Sequence, residues 1–332
     1  MILHLESDAY PAEALDQLRQ IAPLVTAEAE SQSDLIELLE EHSAHTLFVT
    51  LGIRIDGPVM DAAPDLRWIV SPTTGLDHID ISEAQRRGIQ VISLRDAMDR
   101  IQTVSATAEL TWGLLLSIAR HITEADRAVS EGNWERRRFL GTQLSGKTLG
   151  VIGFGRLGQM VANYGTTFGM RVLAHDVTHD DEALTRIGAE WVGVDDLLHQ
   201  SDVITLHLPL NDSTEGWLSE DRISQLKPSA FVINTARGEL IDEIALASAL
   251  EDGRVAGVAV DVLAHDATWE SAAGSSPLLD ARRRGAPVVV TPHIGGYADA
   301  AIATTRQLVV DLFLLHSVDA GPHDEVQQVA TD

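Results

Sequence analysis

Read for its hydrophobic and polar positions, the chain alternates from end to end between short apolar runs and stretches of helical spacing. In the first part the apolar runs lie at 2–5, 46–51, 67–70 and 89–94, with helical spacing at 12–21 and 34–41. Helical spacing returns from about 100 to 130, with Val104, Ala108, Leu115, Ile118 and Ala119 on related faces, the pattern of a long helix connecting two domains. A second series of apolar runs follows at 149–152, 171–174, 203–208, 230–234, 255–260 and 288–291. Helices fit between them. The one at 243–250 closes on Asp252-Gly253, a C-cap pattern, and a last helix over 298–316 is expected to cross back to the first part. Strands alternating with helices predict parallel sheets in an α/β protein. Segment 132–146 is irregular and carries Trp134, Phe139 and the run Arg136, Arg137, Arg138; it reads as a loop or as an arm that packs on a second subunit. The tail from Asp319 is polar and expected to fray.

Composition narrows the class. With 332 residues, 45% of them hydrophobic, two domains with sizeable cores are expected. The longest candidate for a bilayer span, 110–119, is interrupted by Thr111, Gly113 and Ser117, and the first residues meet acids too soon for a signal peptide, so no membrane partner and a cytoplasmic location are expected. There are no cysteines, which excludes disulfides, thiolate catalysis and Cys-ligated metals. Fifty acids face 24 bases for a formal charge of −26, and the only lysines are Lys147 and Lys227. Nucleic acid is therefore not an expected partner, since phosphate binding needs clustered positive charge. The short runs 136–138 and 282–284 suit solvated faces or intersubunit contacts. A high-salt host would explain acids in such excess over so few lysines, although a GC-biased genome also favours arginine.

Candidate chemistry begins where an apolar run ending at Ile152 enters Gly153-x-Gly155-x-x-Gly158. Gly153 allows the tight turn, Gly155 lets the backbone approach a pyrophosphate, and Gly158 lets helix pack close to strand. The helix that follows offers its free N–H groups and positive dipole end to phosphates. Asp176, 18 residues past Gly158, closes the next run and is placed for the ribose hydroxyls. Strand, glycines, helix, strand and terminal acid in that order predict a dinucleotide site. Asp176 would repel the 2′-phosphate of NADP, and Val177-Thr178-His179 offers no arginine to bind it, so NAD is favoured.

Three further features stand at predicted strand ends: Asn234-Thr235-Ala236-Arg237-Gly238, Asp261, and Thr291-Pro292-His293-Ile294-Gly295-Gly296. An arginine, a carboxylate and a histidine near a nicotinamide suit hydride transfer between a hydroxyl carbon and a carbonyl. The histidine moves the hydroxyl proton, a carboxylate orients the imidazole, and the arginine grips a substrate carboxylate. His207, also at a strand end, is assigned to the cofactor-facing wall. His175 lies beside the adenosine with no assigned role, and His78 reads as a helix-start residue. No His or acid spacing supports a metal site. Pro72-Thr73-Thr74-Gly75 puts backbone amides at another strand end, where ligands bind in open α/β sheets.

In this order the motifs resemble the D-isomer-specific 2-hydroxyacid dehydrogenases. The resemblance covers nearly the whole chain and rests on T-T-G-L-D-H-I-D (73–80), T-A-E-L-T-W-G-L-L-L-S-I-A-R (107–120), L-S-G-K-T-L-G-V-I-G-F-G-R-L-G (144–158), S-D-V-I-T-L-H-L-P-L (201–210), N-T-A-R-G-E-L-I-D-E (234–243) and V-V-V-T-P-H-I-G-G (288–296). It implies two doubly wound parallel-sheet domains: a Rossmann NAD-binding domain, 106–297, inserted in a flavodoxin-like substrate domain, 1–105 and 298–332. It also implies an active site in the cleft between them and a homodimer.

Carried over by position, the resemblance makes Arg237 the substrate-binding arginine, His293 the acid/base, and Thr73, Thr74 and Gly75 the loop whose amides bind the substrate carboxylate. The family's third catalytic group is a glutamate five residues after the aspartate that Asp261 matches. That position is Asp266, one methylene shorter; Glu270 or a water is the alternative partner for His293. Asp261 resembles the acceptor for the nicotinamide carboxamide. Cofactor contacts are implied for Gly153, Gly155, Arg156, Leu157, Gly158, Asp176, His207, Pro209, Thr214, Thr235, Ala236, Asp261, His293 and Gly295. Leu110, in place of a polar residue common in the family, and Trp269 hint at an apolar substrate side chain. The activity implied is NAD-dependent interconversion of a 2-oxo acid and the D-2-hydroxy acid. An NADH-responsive binding protein of the corepressor kind is the alternative. Phosphite and formate oxidation share the scaffold, but formate enzymes place Gln where Asp266 stands.

Overall fold

The computed structural model describes residues 1–264 and 276–319. The chain divides into two compact units, Met1–Val104 together with the segment from Asp299, and Ser105–Ala298.

The first unit is built on five parallel strands, β1 (Ile2–His4), β2 (Leu24–Thr26), β3 (Thr46–Phe48), β4 (Trp68–Ser71) and β5 (Gln90–Ser93), in the order β2-β1-β3-β4-β5. This is the flavodoxin-like winding. Side chains alternate across each strand, so one strand feeds two cores. Leu3, Leu47 and Ile69 pack with Leu35 and Leu39 of the Gln32–Glu41 helix on one face. Ile2, Phe48, Val70 and Ile92 pack on the other with Ala14 and Leu18 of the Ala12–Ile21 helix. The C-terminal helix Asp299–Asp319 completes this second core through Leu308, Val309, Leu312 and Phe313. Phe313 meets the rings of Phe48 and Trp68 edge-on, at 5.5 Å and 6.0 Å between centroids.

The second unit carries seven parallel strands, β6 (Thr148–Ile152), β7 (Arg171–His175), β8 (Glu190–Trp191), β9 (Val203–Leu206), β10 (Phe231–Asn234), β11 (Gly257–Val260) and β12 (Val288–Val290). Their order is β12-β11-β10-β9-β6-β7-β8. The winding reverses between β6 and β9, the Rossmann arrangement, and the carboxyl ends around that switch point form the ligand crevice of such sheets. One face is covered by the Ala106–Ala119 helix, whose Ala108, Trp112, Leu115 and Ile118 pack with Val151, Val172, Ile233 and Ala259. The other face is filled by Ile204, Val232 and Val258 with Leu246 and Leu250 of the Glu243–Glu251 helix.

Three expectations change. The long helix over 100–130 is two helices, Ala106–Ala119 and Ile122–Ser130, with His121 between them in the left-handed region at φ 52°. The returning chain enforces the break: the Thr142 N–H donates to the Ala119 carbonyl, and a Cβ on Gly141 would lie 2.7 Å from that oxygen. The Ala106–Ala119 helix therefore belongs wholly to the second unit and is not a connector. Two edge strands, β2 and β8, were not foreseen; three and two residues long and partly exposed, they lack a run for alternation to mark. Among the described residues no helix is long and apolar enough to cross a membrane.

Candidate functional site

The glycine loop joins β6 to the Arg156–Thr167 helix, and each glycine has its own geometric reason. Gly153 turns at φ 89°, and a Cβ there would stand 2.6 Å from the His207 carbonyl oxygen. Gly158 passes so close under the loop that its Cβ would lie 1.9 Å from the Gly153 carbonyl oxygen. Gly155, the N-cap, is exposed and has no atom within 4 Å of the Cβ position, which leaves the backbone open to a ligand at the helix N-terminus. Arg156 and Leu157 follow, both half-buried, and burial pushes the Arg156 guanidinium below its ordinary value. Asp176 stands just past β7. Its Oδ2 accepts the Phe154 N–H at 2.6 Å and its Oδ1 the Thr178 N–H at 3.2 Å, so the acid is tied to the glycine loop. An ionised carboxylate offers about four acceptor directions, so two remain for a ribose.

Across the switch point the next strand ends carry the remaining groups. His207 lies one residue beyond β9; its N–H donates to Ile152 and its Nε2 lies 2.9 Å from Thr205 Oγ1. Burial lowers its imidazole to about 4, so it is neutral near pH 7. Thr214 donates its hydroxyl to the Pro209 carbonyl at 2.7 Å, closing the loop after β9. At the end of β10, Asn234 Oδ1 accepts the Ala236 N–H and Asn234 Nδ2 donates to the Arg237 carbonyl, an amide clamp around the turn that presents Arg237. Arg237 Nη1 donates to the Ala236 carbonyl at 2.6 Å. Thr235 is buried, with its Oγ1 2.7 Å from Thr111 Oγ1 on the helix below.

Asp261 follows β11 and is 1% exposed. Its carboxylate accepts the Thr291 hydroxyl and the Ile294 N–H at Oδ1 and the Gly295 N–H, at 2.7 Å, at Oδ2; its carbonyl accepts the His293 N–H at 2.8 Å. Burial pushes this carboxyl above its ordinary value, against the opposing pull of those donors and of His293. The bonds enclose His293, whose φ of 55° is unusual for any residue but glycine. One aspartate thus holds the histidine turn in a conformation that it would not keep alone.

In the first unit the carbonyls of the loop after β4 are taken by groups of the same unit. Thr73 accepts from the Leu94 N–H, Thr74 from Arg95 Nε at 2.6 Å, and Gly75 from the Thr73 hydroxyl at 2.7 Å. Among the described residues the N–H groups of Thr73, Thr74 and Gly75 have no acceptor. His78 is not a helix-start residue: Asp80 caps the Ile81–Arg86 helix, while His78 is buried with its Nε2 3.4 Å from Ser71 Oγ. His175 Nδ1 lies 3.0 Å from the Val192 carbonyl. Leu110 is half-buried against the core beneath its helix. Asp266, Trp269 and Glu270 lie outside the described residues. Asn234, Thr291 and Glu243 are structural parts of this site that sequence reasoning missed: Asn234 bonds only two and three residues along its own turn, whereas the partners of Thr291 and Glu243 are brought to them only by the fold.

These strand ends define a Rossmann dinucleotide-binding fold whose glycine loop, arginine and histidine all stand at the carboxyl ends of one sheet. The NAD-binding domain of the D-isomer specific 2-hydroxyacid dehydrogenases matches residues 112–295. The chain is 35% identical over 307 residues to a glyoxylate reductase of Thermococcus onnurineus, covering 90% of this chain and 88% of that one. It is 33% identical over 298 residues to a D-3-phosphoglycerate dehydrogenase of Synechocystis, covering 90% of this chain and 51% of that one. Among solved structures, a D-lactate dehydrogenase from Aquifex aeolicus complexed with NAD and lactic acid superposes with a TM-score of 0.81 at 27% identity, covering 96% of each chain. The chain belongs to the D-isomer specific 2-hydroxyacid dehydrogenase family. Its cofactor is NAD, and the open Gly155 position with the Asp176 carboxylate tied to the same loop fits that group.

Proposed function

We propose that the protein interconverts a 2-oxo acid and the corresponding D-2-hydroxy acid. The observation that carries this reading is the row of groups at the carboxyl ends of one sheet, in spatial order His293, Asp261, Arg237, His207, Gly153 and Asp176. The last two suit the adenosine half of a dinucleotide and the first three its reactive half. Bound NAD supplies or accepts the hydride. His293 gives a proton to the carbonyl oxygen during reduction and takes it from the hydroxyl during oxidation. Arg237 grips the substrate carboxylate with its guanidinium fork, and the amides of Thr73, Thr74 and Gly75 are proposed as substrate-binding donors. The one acceptor direction left on Asp261 suits a carboxamide N–H. Asp266 is the proposed partner that orients the imidazole. Arg156, Leu157, Pro209, Thr214, Thr235, Ala236 and Gly295 are proposed to line the cofactor path. Small 2-oxo acids are favoured as substrates by the glyoxylate reductase and D-lactate dehydrogenase relatives.

The test is NADH oxidation against glyoxylate, hydroxypyruvate, pyruvate, phenylpyruvate and branched-chain 2-oxo acids. Turnover of at least one is expected, with a loss of about 10²–10⁴-fold in kcat for His293→Ala while NADH is still bound. NADH binding with no turnover of any 2-oxo acid would sink the enzymatic reading in favour of a non-catalytic NADH-responsive protein.

A homodimer is proposed as well, through the segment that carries Trp134 and Leu140, 89% and 87% exposed. Leu140 lines a cavity of about 780 Å³ together with Leu116, Arg120, Arg136, Phe139 and Phe168. Exposed apolar side chains of this size on one segment, on a chain whose charge of −26 otherwise keeps copies apart, mark it for a second copy.

A further inference from the structure

The Glu243–Glu251 helix starts with Asp242 as its cap, Oδ1 accepting the Ala245 N–H at 3.0 Å. The next residue, Glu243, is 7% exposed. A charged side chain so enclosed needs hydrogen bonds to replace water, and both of its oxygens have one. Oε1 accepts the Ala264 N–H at 2.7 Å, and Oε2 accepts the Ser276 hydroxyl at 2.7 Å. Ala264 and Ser276 flank residues 265–275. Twelve residues of extended chain span roughly 40 Å, yet the two flanks end on one carboxylate.

Two further details show that this junction is built rather than incidental. Ser276 is the N-cap of the Pro277–Arg283 helix, but its hydroxyl makes no capping bond there. It has been diverted from the usual role of a serine at that position to Glu243. Gly238, the residue after Arg237, packs directly on the same flank: a Cβ there would stand 2.0 Å from the Leu263 carbonyl carbon and 2.2 Å from the Ala264 nitrogen. The backbone entering 265–275 is therefore held from one side by Glu243 and touches the Arg237 turn on the other. Asp266 is the second residue beyond Ala264.

We infer that Glu243 is a positioning residue of the active site. By holding Ala264 and Ser276 to the start of its helix, it fixes, relative to Arg237, the point from which the chain runs to Asp266, and so sets how that acid serves His293. This rests on the assignment of Asp266 as the partner of His293. Glu243 itself touches neither substrate nor cofactor.

A double-mutant cycle tests it, using the fastest 2-oxo acid of the panel, NADH binding by fluorescence, and the pH dependence of kcat/KM. Glu243→Ala is expected to lower kcat at least about tenfold and to shift the pH profile, with NADH affinity within about twofold of wild type. Glu243→Gln, whose amide still accepts from the Ala264 N–H and can donate to the Ser276 hydroxyl, is expected to stay within about threefold of wild-type kcat. Glu243→Ala in the Asp266→Asn background should cost little beyond Asp266→Asn alone, because the two act through one group. Ser276→Ala, a milder cut of one tie, is expected to lower kcat about threefold and replaces Glu243→Ala if the latter does not fold. A wild-type kcat and pH profile in Glu243→Ala (or in Ser276→Ala, where that replaces it), or losses that add fully with those of Asp266→Asn, would overturn the inference while leaving the function intact. Wild-type rates in Asp266→Asn would instead remove the assignment beneath it, and the inference with it.

Discussion

Asp176 shows how much one side chain decides and how it is held to the task. It closes β7, and its bond to the Phe154 N–H fixes the carboxylate against the glycine loop. A 2′-phosphate brought there would meet a like charge, a juxtaposition that costs several kcal/mol. Asp176→Ser is therefore expected to lower the NADH over NADPH preference in kcat/KM by at least about tenfold, roughly 1.4 kcal/mol, chiefly by admitting NADPH. An unchanged preference would show that some other group discriminates. Glycines 153, 155 and 158 and this acid were legible because each answers a local demand of turn, approach or charge. The hold on His293 was not. Asp261 reaches the Gly295 N–H across 34 residues of sequence, and only adjacent strand ends bring the two together.

At the scale of elements, β1 and β3 lie side by side with His4 opposite Phe48, their rings stacked at 4.9 Å, and Tyr10 meets His4 edge-on at 4.2 Å. Burial first, and the nearby Arg306 second, lower the His4 imidazole to about 3. In the unfolded chain a histidine takes its proton near pH 6.5, so the unfolded state binds the proton first as pH falls. The folded state is then favoured above pH 6.5 and loses stability down to about pH 3, by up to about 1.4 kcal/mol per pH unit. In urea unfolding, wild type is expected to lose about 1.4 kcal/mol more than His4→Phe between pH 7.5 and 5.5. Equal losses would remove His4 from the acid response. The apolar pattern located β1 and β3. It did not place the short edge strands β2 and β8, nor the break at His121, which the returning Gly141–Thr142 backbone imposes.

For the whole molecule the charge excess and the arginine-rich face belong together. Net charge of −26 keeps copies apart except where basic and apolar groups collect, and Trp134, Leu140 and Arg136–Arg138 are collected on one segment. Light scattering at micromolar concentration is expected to give twice the chain mass for wild type and the chain mass for Trp134→Glu/Leu140→Asp. Because both side chains are almost fully exposed, thermal stability of the variant protomer should change little. A monomeric wild type, or a variant that remains dimeric, would refute this interface.

What the amino-acid sequence determined alone is whatever depends on neighbours along the chain: alternation of strands and helices, the glycine loop, the terminal acid, and the order of motifs that places Arg237 and His293 at strand ends. Tertiary structure alone decided which distant groups share a hydrogen bond. Parallel strands put their carboxyl ends side by side although 16 to 54 residues of chain separate them, so Asp261 comes to frame His293 and Glu243 to hold Ala264 and Ser276. No spacing rule marks such pairs, because the distance that matters is between adjacent strands and not along the backbone.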